Sequence, residues 1–129
     1  MRRFLGGIPL ALLLWAGAAE AQSLVIDPRS VQFLYEQCRS DEPTTALACT
    51  IYLTGVADVM AILGAFAKNP NFAASERANW AGVGLCNSEY SPGQLQQTFI
   101  NWAEKNLAEW QKPREFGAIR AFRQAWPCK

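Results

Sequence analysis

The sequence predicts a small all-α domain of four to five helices around one long central helix, stapled by disulfides. Three observations carry that prediction. In the run Thr44–Lys68, apolar residues recur at a helical period over more than half of the helix circumference. Two helix starts are marked by proline, at Ser91-Pro92-Gly93-Gln94 and at Pro113. No stretch shows the strict alternation that a half-buried strand requires.

The first 21 residues read as something other than the domain. Arg2 and Arg3 precede the apolar run FLGGIPLALLLWAGAA, which leads to Ala19-Glu20-Ala21. A basic start, an apolar middle and a small-residue cleavage site are the grammar of a secretory signal peptide. No cysteine lies near that site, so a lipid anchor is not expected. The mature chain then begins at Gln22 and keeps about 108 residues, enough for one domain with a modest core. It holds ten basic and ten acidic side chains. A neutral chain without a basic run or a patch of interleaved aromatic and basic residues is a poor candidate for nucleic acid.

Within the domain, residues 22–29 read as extended. Ser30 is a suitable N-cap, and Val31, Leu34, Tyr35 and Cys38 follow at helical spacing, giving a short helix over about residues 29–39. The polar turn Arg39–Pro43 leads into the long helix, with Pro43 in its first turn. That helix carries Leu53, Val56, Met60, Leu63, Tyr52, Val59, Ile51, Ile62 and Phe66 on a broad apolar arc, broken only by the stripe Thr50, Thr54 and Asp58. Such a helix is expected to be surrounded by the other elements. The same stripe argues against a membrane span, which prefers about 20 uninterrupted apolar residues.

Asn69-Pro70-Asn71 stops the helix. Residues 72–85 read as a loop with one helical turn around Ala74–Asn79. Ser91 and Gln94 form a capping box for a helix whose narrow apolar face is Leu95, Phe99, Trp102 and Ala103. In the last helix Phe116, Ile119, Phe122 and Trp126 are expected inside, with Arg114, Arg120 and Arg123 in water. Pro127 ends it.

Four cysteines, Cys38, Cys49, Cys86 and Cys128, form an even set in an exported small domain, which reads as two disulfides. Three connectivities are open, and the sequence alone does not choose. Cys38–Cys49 with Cys86–Cys128 is the pairing in which each bond closes one side of the fold. Zinc is the rival use, but there is no C-x-x-C pair and no histidine in the chain.

Catalytic chemistry is hard to place here. Nucleophilic catalysis usually needs a base such as histidine beside the nucleophile. The carboxylate pairs Asp41/Glu42 and Glu104/Glu109 fall on a turn or on solvated helix faces. No phosphate-binding loop or EF-hand spacing is present, and no cofactor is expected. What remains is a binding protein. Asp58, the one charge inside the long helix, is a candidate interface residue. Phe72, Trp80 and Tyr90 lie in or beside the irregular segment, where periodicity does not claim them for the core, and are candidate anchors. Gly55 and Gly64 read as sites of close helix crossing.

Several stretches together resemble a known family. They are Phe33-Leu34-Tyr35 with Cys38, the segment Cys49-Thr50-Ile51-Tyr52-Leu53-Thr54-Gly55-Val56-Ala57-Asp58, and a lone Cys86. The Ser91-Pro92-Gly93-Gln94-Leu95 helix start and the closing Phe122-Arg123-Gln124-Ala125-Trp126-Pro127-Cys128 complete the set. In order and spacing the chain is similar to the Rap1a/Tai family of bacterial immunity proteins over nearly all of residues 22–129. The resemblance implies a periplasmic helical protein, often dimeric, without enzymatic activity of its own. It would bind a peptidoglycan amidase effector of a type VI secretion system and obstruct its active-site cleft with protruding loops and helix ends. That makes the Phe72–Tyr90 region, with Asp58, the expected contact surface. Two alternatives stand beside it: a periplasmic acid-stress chaperone of the HdeA-like kind, and a family member without a toxin partner.

Overall fold

The computed structural model describes residues 25–87 and 89–128. Five α-helices follow one another, α1 (Val31–Cys38), α2 (Pro43–Lys68), α3 (Ala74–Val83), α4 (Pro92–Lys105) and α5 (Arg114–Ala125), with a 3-10 turn at Leu107–Glu109 between the last two. Among the described residues there is no strand; two isolated bridges join Ser30 to Pro113 and Leu85 to Pro127. The expected all-α architecture is present. The leader expected over residues 1–21 lies outside the described residues.

Each helix starts where local chemistry satisfies its free amides. The Ser30 hydroxyl accepts from Phe33 N at 3.1 Å and itself donates to the Asp27 carbonyl. Glu42 does the same for α2, accepting from Thr44 N and Thr45 N, with Pro43 in the first helical position. The Thr45 hydroxyl also donates to this carboxylate, and that bond, with the two from the amides, holds its pKa down at about 2. Ser91 and Gln94 close the expected capping box on α4. At α5 Pro113 is the cap rather than the first helical residue, and Arg114 N donates to the Arg29 carbonyl at 2.7 Å, which ties this start to the turn before α1.

The core is gathered between α1, α4, α5 and one face of α2. Leu34, Leu53, Leu95, Phe99 and Phe122 are its largest fully buried side chains. On α4 the buried set is the expected Leu95, Phe99, Trp102 and Ala103. On α5 it differs: Gly117, Ala118, Ala121 and Phe122 are buried, whereas Phe116, Ile119 and Trp126 are only half-buried. The reason is proximity. A Cβ at position 117 would stand 2.7 Å from Val31 Cγ2 and 3.0 Å from the Trp102 ring. A helix that comes this close presents its small residues inward, and its larger ones move to the flanks.

The long helix is not surrounded. Its buried residues are Cys49, Leu53, Ala57, Met60 and Gly64, one narrow face. Leu47, Ile51, Val59 and Ile62 are 56%, 64%, 57% and 55% exposed. Two residues of the polar stripe, Thr50 and Thr54, meanwhile turn inward, and Asp58 stays exposed. Thr54 donates to the Thr50 carbonyl, and Thr50 Oγ1 lies 3.2 Å from Oε1 of Gln96 on α4, whose amide nitrogen donates to the Cys38 carbonyl at 2.6 Å. Threonines on that side are satisfied by carbonyls and by Gln96, so they pack at no polar cost. By length and composition α2 could cross a bilayer; its narrow buried face packs it into this domain.

The segment expected to be a loop is a ten-residue helix, α3. Its first turn is set by Glu76, whose carboxylate accepts from Ala73 N at 2.9 Å. Its sequence, ASERANWAGV, favours helix by composition but has no apolar period, and none of its residues is buried. It packs chiefly on the second half of α2. The contact that seats it lies just after it, where the Gly84 backbone rests on Gly64 and Leu85 N donates to the Met60 carbonyl at 2.8 Å. Of the two glycines expected at a crossing, Gly64 serves there. Gly55 faces open space.

Two disulfides are present, Cys38–Cys49 and Cys86–Cys128. The first joins the end of α1 to α2. The second ties the segment after α3 to the C-terminus, beside the Leu85–Pro127 bridge. Lys68 Nζ adds a bond to the Cys86 carbonyl from the end of α2.

Candidate partner-binding surface

The four residues singled out for partner contact fall into two groups. Phe72 and Trp80 meet through a third aromatic, Phe66, with ring centroids 5.7 and 6.0 Å from it in edge-to-face arrangement. That geometry favours the quadrupoles of all three rings. Phe66 is supplied by the last turns of α2, Phe72 by the turn after it and Trp80 by α3. The Trp80 Nε1 and the Arg77 Nε are buried and have no acceptor among the described residues. Together with the absence of any fully buried residue, this marks α3 as the least secured helix.

Tyr90 and Asp58 form the second group. They share a pocket of about 530 Å³ between α2 and the start of α4, walled by Ile62, Pro92 and Leu95. Tyr90 donates to the Ala57 carbonyl at 3.2 Å, and its ring lies 5.5 Å from Trp126, which in turn lies 6.0 Å from Phe122. The phenol is therefore anchored to the core on one side and open to the pocket on the other. Burial, and to a lesser degree the negative charge of Asp58, push its pKa up, so it stays protonated. Asp58 itself is exposed and makes no ion pair among the described residues.

The two groups are neighbours. Asp58, Ile62 and Phe66 follow each other at four-residue steps on α2, so they form one ridge, with about 6 Å between successive positions. Ile62 and Phe66 were read as core from the sequence and are the residues that sequence reasoning missed. A signal was available: α3 offers only Trp80 and Val83 as large apolar side chains, too few to cover the broad arc of α2. Beside the ridge, Ile51, Gly55 and Val59 line a shallow apolar groove of about 470 Å³ with Val83 and Ile119. At its edge Arg114 lies over the Tyr52 ring at 4.4 Å, a contact favourable to both.

No group of three or more potential metal ligands occurs among the described residues. All four cysteines are bonded.

These features define a class: a small all-α domain, disulfide-stapled, whose longest helix turns an apolar ridge to solvent. The family described as Rap1a immunity proteins matches residues 30–128. The chain belongs to that family. Its partner class is accordingly a secreted effector protein. No curated protein and no solved structure matches the chain.

Proposed function

We propose that this protein is a periplasmic immunity protein, exported through a cleaved signal peptide, that binds a peptidoglycan amidase effector of a type VI secretion system and blocks its active-site cleft. The observation that carries the reading is the solvent-facing ridge of α2 on a chain of an immunity family. Contiguous apolar patches of this kind rarely stay uncovered on a soluble protein. Phe66, Phe72 and Trp80 at one end, with Asp58 and Tyr90 beside them, supply the aromatic and charged anchors typical of binding hot spots. The exposed row beside the ridge, Leu47, Ile51 and Val59, is the surface on which a second copy would pack to form a homodimer. Gly55, with no atom near its Cβ position, gives a facing helix room to approach.

The test is affinity capture with the oxidised chain, residues 22–129, from lysate of its own source. Recovery of a cell-wall amidase in near-stoichiometric amount, with its activity lost on binding, is the expected result. Capture of no amidase, or of an amidase that stays active in the complex, would refute the proposal. Replacing Phe72 and Trp80 by alanine is expected to abolish capture while leaving the cooperative thermal unfolding of the α1/α2/α4/α5 core in place.

A further inference from the structure

The pocket that holds Asp58 has an unusual charge environment. Along α2 from Pro43, Asp58 is the only charged side chain before Lys68, and the Lys68 ammonium is engaged by the Cys86 carbonyl. The facing helix α4 has no charge until Glu104, in its last two residues. The connecting segment before it contributes Glu89, a second negative group. Just past the end of α5, the uncharged Trp126 lies against the Tyr90 ring. The remaining lining is Thr54, Ala61, Ile62, Tyr90, Pro92 and Leu95. A carboxylate therefore stands in a largely apolar pocket, and among the described residues no cation pairs with it.

We propose that this pocket receives a basic side chain, arginine or lysine, from a protein partner. The shape and chemistry fit such a side chain from stem to head. The aliphatic stem covers Ile62, Pro92 and Leu95, as long basic side chains do on apolar surface. The head reaches the Asp58 carboxylate. Thr54 Oγ1 spends its proton on the Thr50 carbonyl and keeps its lone pairs as a second acceptor. The Tyr90 ring, held in place by its bond to Ala57 and by Trp126, offers a face to the cation. Partly desolvated by those walls, the ion pair is less screened than one at the open surface. The proposal rests on the immunity reading for its partner, but the chemistry of the pocket is measurable without one.

The test uses the oxidised exported protein, labelled with nitrogen-15, and capped amino acids as probes. N-acetyl-arginine amide is expected to give saturable shifts confined to Thr54, Asp58, Ala61, Ile62, Tyr90 and Leu95. For a probe of about fifteen heavy atoms, the dissociation constant is expected on the order of 1 mM. N-acetyl-citrulline amide has the same shape without the charge and should bind about tenfold more weakly. Asp58→Asn, at an exposed position, should erase that difference and leave the rest of the spectrum in place. Equal binding of the two probes, shifts elsewhere on the protein, or an unchanged preference in Asp58→Asn would overturn the proposal. So would tighter binding of a free polyamine, tested as spermidine, because the occupant would then be a small molecule. A failed effector capture together with a positive arginine titration would remove the amidase and keep the pocket assignment.

Discussion

Replacing Gly64 by alanine tests whether α3 is seated by backbone contact. The residue lies mid-helix on the buried face of α2, where alanine is intrinsically better than glycine by about 1 kcal/mol. Its new Cβ, however, would overlap the Leu85 carbonyl group and stand 3.2 Å from Leu85 N. None of those atoms belongs to a side chain that can rotate away. Leu85 is fixed by its bond to Met60, by the bridge to Pro127, and by the adjacent Cys86–Cys128 disulfide. Overpacking of this kind costs about 3 kcal/mol, at the upper end of the usual range. Subtracting the helix gain leaves a net loss of about 2 kcal/mol, or a fall of roughly 10 °C in melting temperature for a domain this size. Gly55→Ala is the matched control. It lies on the same helix with no atom within 4 Å of the new Cβ, so only the helix gain of about 1 kcal/mol applies and its melting temperature should rise. Thermal unfolding of both oxidised variants, followed by circular dichroism at 222 nm, reads the two signs. A Gly64→Ala protein as stable as Gly55→Ala would refute the backbone seat.

Three further outcomes follow from the same structure. The disulfides close loops with sequence separations of 11 and 42 residues, so loop entropy assigns the short one about 3 and the long one about 4 kcal/mol. Cys86→Ser with Cys128→Ser should therefore destabilise more than Cys38→Ser with Cys49→Ser in urea unfolding, and in hydrogen exchange α3 should lose protection first. Glu42 has its pKa lowered from 4.5 to about 2 by the Thr45 and Thr44 hydrogen bonds. A lowered carboxyl pKa adds stability that is complete above the unfolded value, and is lost as pH falls from about 4.5 towards 2. Urea midpoints of the natural protein and Glu42→Gln should accordingly differ above pH 5 and converge near pH 2. Ile51→Lys places a charge on a side chain that is 64% exposed, so the monomer fold should hold to within about 0.5 kcal/mol. Light scattering should show that substitution converting a dimer of the natural protein to a monomer, and a monomeric natural protein would refute the homodimer.

How much of this was legible in the sequence follows from how local each determinant is. The starts of α1 and α4 are written in Ser30 and in Ser91-Pro92-Gly93-Gln94, because capping bonds form between residues two or three apart. The buried face of α4 is legible for the same reason: its apolar side chains are few, and the helical period selects them. The character of α2 was not. Its apolar arc is broader than any partner can cover, and period alone does not say which part is left over. That depends on the apolar surface carried by α3 and α5, a tertiary quantity. The inward turn of Thr50 was hidden likewise, because its contact with Gln96 is made across 46 residues of sequence. Helix α3 was missed because its order comes from Phe66, Gly64 and a disulfide outside it, not from a period within it. The candidate site split for a related reason. Tyr90 precedes α4 and packs back onto α5 through Trp126, while Phe72 and Trp80 stay with the end of α2.

The division of α2 into two faces has a consequence for recognition. Its buried side is dominated by small or tightly placed groups, Cys49, Ala57 and Gly64 among them, where almost any enlargement collides with α1, α4 or the Leu85 backbone. Its outer side, from Leu47 to Ile62, touches little within the chain, and substitutions there change the fold by tenths of a kcal/mol. A protein that must match one partner and reject its relatives gains from such an arrangement, because specificity is a difference of affinities that the surface can adjust alone. Asp58 sits at the border of the two faces. It follows Ala57, whose carbonyl holds Tyr90, and precedes the exposed Val59. Changing its charge should therefore alter which partner binds without altering whether the domain folds, and Asp58→Lys is the substitution that separates those effects most sharply. Its melting temperature should match that of the natural protein, and its affinity for a partner that offers a basic side chain should fall by more than that of Asp58→Asn, since repulsion is added to the lost attraction.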